Sequence, residues 1–250
     1  MFAKFSSFHY ALLANTGRGA SPKVGNTKQK GMTMSKKMML LALAVASMTM
    51  FALPAASSAQ EIHLEGIEKF TGEATAGTLV ASGEPTITCE KGDVTGTVSA
   101  GGTTGTIALD FTGCHTTVFG FTAKCKTSTA GGLDNTIKSS GSFHMITTTD
   151  GPAILVTTDP TEIVCAGISN TRVEGAVIGT VTAPKCGESS KLMTINFAAV
   201  TGNPTTQAHE RYTGFDYDLT AKTSGGSAVT ATLTTLTHVE STVAGKLNCT

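Results

Sequence analysis

The chain has 250 residues and a formal net charge of zero, with 14% charged and 40% hydrophobic residues, no Trp, 28 Gly and six Cys. Ordinary soluble domains carry about 25% charged residues. The neutrality also hides an asymmetry: seven of the 18 basic residues precede Gln60, whereas the 18 acidic ones begin at Glu61. From Gln60 onward there are 11 basic against 18 acidic side chains, a net charge of −7 without a basic cluster, which argues against contact with nucleic acid or anionic lipid through phosphates.

Residues 1–33, with Phe2, Phe5 and Phe8 followed by Gly- and Lys-containing chain, form an extension without a fold of its own, and translation is expected to start at Met32 or Met34. Residues 34–59 read as a secretory signal peptide. Met34-Ser-Lys-Lys-Met38 is the positive start, an uncharged run follows to Leu53, Pro54 ends it, and small Ser57 and Ala59 precede cleavage before Gln60. The run, about 16 residues, is shorter than the ~20 a spanning helix needs. With the first Cys at position 89 there is no lipid-anchoring Cys near the cleavage site, so the product is expected to be released, with no membrane attachment.

Residues 60–77 read as a looser lead-in, with a short helical turn expected over Ile62 to Phe70, and residues 78–250 as one domain. By composition that domain is all-β. From Gln60 onward there are 40 Thr among 191 residues, with many Val, Ile and Gly. Apolar residues alternate with polar ones at Val94, Val98, Ala100; at Ile107, Leu109, Phe111; and at Val173, Val177, Val181. The same alternation recurs at Met193, Ile195, Phe197; at Phe215, Tyr217, Leu219; and at Val229, Ala231, Leu233. Turn signals at Gly101-Gly102, Gly131-Gly132, Asp150-Gly151-Pro152, Asp159-Pro160, Gly202-Asn203-Pro204 and Gly225-Gly226 separate short strands. That spacing predicts an antiparallel β-sandwich, with a barrel as the alternative.

Six Cys behind a secretory signal read as disulfides rather than metal ligands. Six allow 15 connectivities. Proximity in sequence favours Cys114 with Cys125 and Cys165 with Cys186, leaving Cys89 to join Cys249. The stretches Ile87-Thr-Cys89, Phe111-Thr-Gly-Cys114, Val164-Cys165, Ile178-Gly-Thr-Val-Thr-Ala-Pro-Lys-Cys-Gly-Glu188 and Leu247-Asn-Cys249 resemble a group of secreted, Thr-rich, six-Cys β proteins common in soil actinobacteria. The resemblance implies a secreted disulfide-linked β fold and no activity.

Motifs for catalysis are missing: no Gly-x-Ser-x-Gly, His-Glu-x-x-His, Gly-x-Gly-x-x-Gly or EF-hand loop occurs. His238 with Glu240, and Asp216 with Asp218 beside Tyr212, share strand faces and have the chemistry for a metal or Ca²⁺; solvated strand positions are the plainer reading. Thr-x-Thr pairs at Thr95/Thr97, Thr147/Thr149, Thr180/Thr182 and Thr230/Thr232/Thr234 would form an ice-binding ladder if regular, but no repeat orders them. The expectation is a non-catalytic secreted or cell-envelope protein, needing no cofactor or metal, that meets an extracellular partner. The alternative is a secreted hydrolase, or an accessory domain of one, with a loop-built site.

Overall fold

In the computed structural model, residues 62–129, 132–209, 211–212, 215–216 and 218–249 are described; the extension and the expected signal peptide lie outside them. The strands are β1 (Ile62–Glu65), β2 (Lys69–Ala74), β3 (Gly77–Ala81), β4 (Ile87–Cys89), β5 (Lys91–Val98), β6 (Thr104–Thr112), β7 (His115–Val118), β8 (Phe121–Thr127) and β9 (Thr136–Thr148). They continue with β10 (Gly151–Cys165), β11 (Ser169–Ala183), β12 (Ser189–Phe197), β13 (Ala199–Val200), β14 (Asn203–Gln207), β15 (Arg211–Tyr212), β16 (Phe215–Asp216), β17 (Leu219–Thr223) and β18 (Val229–Cys249). Every pairing among them is antiparallel. The fold is all-β and disulfide-stapled, as expected from composition and alternation.

Fourteen strands form one sheet whose path turns back on itself. The register explains how. Lys69↔Thr97 in the β2–β5 pair and Gly77↔Cys89 in the β3–β4 pair lie on one continuous hairpin register, so β2 runs on into β3 and β4 into β5. Likewise β6 runs on into β7 against β5 and β4. The next wall position is shared end to end by β8 and β9, both against β10. Then come β10 and β11, a position shared by β17 and β12, and finally β18, which pairs β3 and β2 and so closes the circuit. The result is a sandwich-like closure with spliced walls rather than a clean barrel.

Why these segments become walls follows from side-chain period two. In β6, Ile107 and Phe111 are buried while Thr104, Thr106 and Ala108 are exposed. In β12, Met193, Ile195 and Phe197 all face inward. Opposite walls meet through Phe70 of β2 and Phe143 of β9, edge to face with ring centroids 6.0 Å apart. Gly96 makes room for this contact, because a Cβ there would stand 2.2 Å from the Phe70 ring.

Three expectations are corrected. The lead-in is not helical: Ile62–Glu65 and Lys69–Ala74 are strands, and Ile62, Leu64 and Phe70 are buried. The reason is that Ile62 and Leu64 alternate with period two, and the far end of β18 offers them an open edge at Leu247 and Cys249. The folded unit therefore takes in the segment 62–77, rather than starting at residue 78. The disulfides join Cys89 to Cys114, Cys125 to Cys165 and Cys186 to Cys249, not Cys114 to Cys125, Cys165 to Cys186 or Cys89 to Cys249. Two of the three bridges join neighbouring strands. Cys125 and Cys165 are direct cross-strand partners, and Cys89 and Cys114 continue the β4–β7 register, each pair with Cα atoms 4.0 Å apart. Lastly, Asp159-Pro160 marks a bulge inside β10 between Thr158 and Thr161 instead of a turn between strands.

Candidate functional site

The chemistry-bearing residues of the sequence reading do not converge. His238 and Glu240 are exposed on the outer face of β18, and the His238 Nδ1 lies 3.2 Å from the Thr194 hydroxyl. The Asp216 side chain lies outside the described residues, while Asp218 is exposed ahead of β17. No group of three or more His, Cys, Asp or Glu among the described residues could hold a metal ion. The Thr-x-Thr pairs are scattered over different walls. Thr95 and Thr97 are exposed, Thr180 is tied to the His209 ring at 3.3 Å, and Thr232 is completely buried.

The charged groups are used along the walls. Lys126 meets Asp134 at 3.0 Å, and this hydrogen bond with its charge holds the Asp134 carboxyl below its usual range. Arg172 bridges Glu174 and Glu162 at 2.9 and 3.3 Å, which raises its guanidinium further. These exposed pairs contribute little to stability.

An excursion after β12, which includes β13, β14 and His209 and was missed in the sequence reading, folds back over the outer side of the walls. Gln207, buried at 3% exposure, fills the gap on β18 between β17 and β12. Its amide nitrogen donates to the carbonyls of Ala198 at 2.8 Å and Leu233 at 3.3 Å, and its amide oxygen accepts the Leu233 N–H at 3.2 Å. Farther along, His209 reaches Thr180 and Asp150, and β15 runs beside β9. Beneath this region Ile146, Ala153, Leu155, Ala176 and Ile178 form a second buried cluster on the outer face of β9–β11. The signal was present in the sequence as the unbroken apolar runs Ala153–Val156 and Ala176–Ile178, which belong to strands buried on both faces.

The most unusual local geometry is at the β7–β8 turn. The registers place this turn at the same end of the molecule as the β3–β4, β10–β11 and β17–β18 connections. Val118 and Phe121 pair across a two-residue loop, Phe119-Gly120, with φ of 49° and 83°. Positive φ at both central positions suits the strand twist and is normally met by Asn or Gly. A bulky Phe there pays about 1–2 kcal/mol. Phe119 is also 97% exposed and Phe121 is 76% exposed. Phe121 stands on the same side of β8 as the buried Ala123 and Cys125, so the core-facing stripe runs past the end of the core into solvent. Ile168, from the β10–β11 turn, borders the same recess, in which Lys124 is the charged side chain.

No family model matches this sequence, and neither a characterised protein nor a solved structure is significantly similar to it. The site therefore has to be read from its own chemistry. Three disulfides pair all six Cys, which marks a protein of an oxidising environment. Among the described residues no helix is long and apolar enough to cross a membrane.

Proposed function

We propose that the chain works outside the cell or in the cell envelope as a non-catalytic binding module, and that the β7–β8 hairpin tip is its contact surface. The observation that carries this reading is Phe119, a large aromatic side chain kept almost fully in water on a backbone conformation that disfavours it. Neither feature benefits the isolated fold, since exposure forfeits burial and positive φ costs strain. Exposed apolar patches of this kind serve contact with another apolar surface. The disulfide-braced walls hold the tip rigid, which limits the entropy lost on contact.

The test compares the wild-type chain with a Phe119→Gly/Phe121→Thr variant in the producing cell. The expected result is that the wild type divides between envelope fraction and medium, whereas the variant, folded and with all three disulfides, is found in the medium alone. Identical distributions of a folded variant and the wild type would contradict the reading.

A further inference from the structure

The closed walls do not fill their own interior. A partly open cavity of about 80 Å³ lies inside the circuit and is lined from all eight wall positions, through β3, β4, β6, β9, β10, β11, β17 and β18. Two irregularities of the walls border the space: β10 bulges between Thr158 and Thr161, and the wall between β11 and β18 is spliced from β17 and β12. Leu79, Leu109 and Leu233 stand on the core-facing register of their strands but are only partly buried, and all three border this space. Protein interiors normally leave few voids larger than a water molecule.

The lining also defines the chemistry. Ile163, Val177 and Leu219 complete the apolar surface, and no charged side chain reaches it. The Thr161 hydroxyl is engaged with Ser139 Oγ at 3.3 Å and the Asp159 carbonyl at 3.1 Å, and the Thr158 hydroxyl with the Gly175 carbonyl at 3.2 Å. A water molecule needs two to four free polar partners, and this wall has little to offer it. An engineered apolar cavity of ~150 Å³ stays dry and takes up benzene or xenon. One about half that size suits a single large atom or a chain of a few carbons better than a ring.

We propose that this interior cavity is a binding site for a small, uncharged, apolar molecule, independent of the hairpin tip. Xenon is the probe, applied under pressure to the full-length, oxidised protein carrying ¹³C-labelled methyl groups. The methyls of Leu79, Leu109, Leu233 and Val177 are expected to shift and saturate, whereas those of exposed Val243 stay still. A Leu109→Phe variant, filling the space, should lose these shifts while keeping its melting temperature. Should that variant fail to fold, Val177→Ile is expected to weaken xenon uptake at least about fourfold, one methylene's worth of contact. Shifts that never saturate, shifts confined to surface methyls, or equal uptake by a folded cavity-filling variant would overturn the proposal.

Discussion

Gln207 shows how much a single side chain can replace. Where β17 has ended and β12 has not yet begun, its amide takes the place of a strand backbone, with one acceptor and two donor contacts. Gln207→Leu keeps the bulk but removes the partner of the Leu233 N–H and carbonyl, while the Ala198 carbonyl keeps the Ala208 N–H at 2.8 Å. The expected cost is about 3 kcal/mol, read as a fall in the urea midpoint without a change in slope. Thr237 is the opposite case. Its hydroxyl is buried at 1% exposure without a partner, next to core residue Val239 two positions on. Thr237→Val is therefore expected to stabilise by about 1 kcal/mol, since it removes an unsatisfied group at nearly constant shape. Neither role can be seen in the sequence. The function of Gln207 depends on a gap between strands 26 residues away, and Thr237 looks like every other Thr of a Thr-rich chain.

At the scale of elements, the alternation at Ile107, Leu109, Phe111 and at Met193, Ile195, Phe197 was legible because strand period and burial are locally linked. Disulfide pairing was not. Proximity in sequence favours Cys114 with Cys125, and the β7–β8 register does set them opposite each other, the Cys125 N–H donating to the Cys114 carbonyl at 2.9 Å, yet each sulfur bonds to the Cys on its other side, Cys89 of β4 and Cys165 of β10. The tip was likewise hidden, because Val118-Phe119-Gly120-Phe121 reads as apolar strand until Phe119 is seen at positive φ. The three bridges differ in protection. Cys89, Cys114, Cys125 and Cys165 are buried, whereas Cys186 is exposed in the β11–β12 connection. Mild reductant under native conditions should open Cys186–Cys249 first, and alkylation with peptide mapping should find label on those two Cys alone. On the loop-entropy model that bridge contributes about 4 kcal/mol, so its loss should lower stability without preventing folding. Label appearing first on Cys125 or Cys165 would contradict the burial argument.

On the scale of the whole molecule, closure of the circuit leaves few long unpaired edges, and disulfides anchor it near both ends of its walls. A chain built in this way is suited to persistence outside the cell. Against that background the apolar features left over stand out: an aromatic tip in water and an unfilled apolar interior. The central claim is that Phe119 serves contact and works against the fold's own stability. Equilibrium urea unfolding of the oxidised wild type and Phe119→Gly tests it directly. Gly accepts the φ of 49° without strain but loses more entropy on folding. The balance is an expected gain of about 0.5–1 kcal/mol with an unchanged slope. A variant less stable than the wild type would show that Phe119 packs for the fold itself, and the contact reading of the tip would fail.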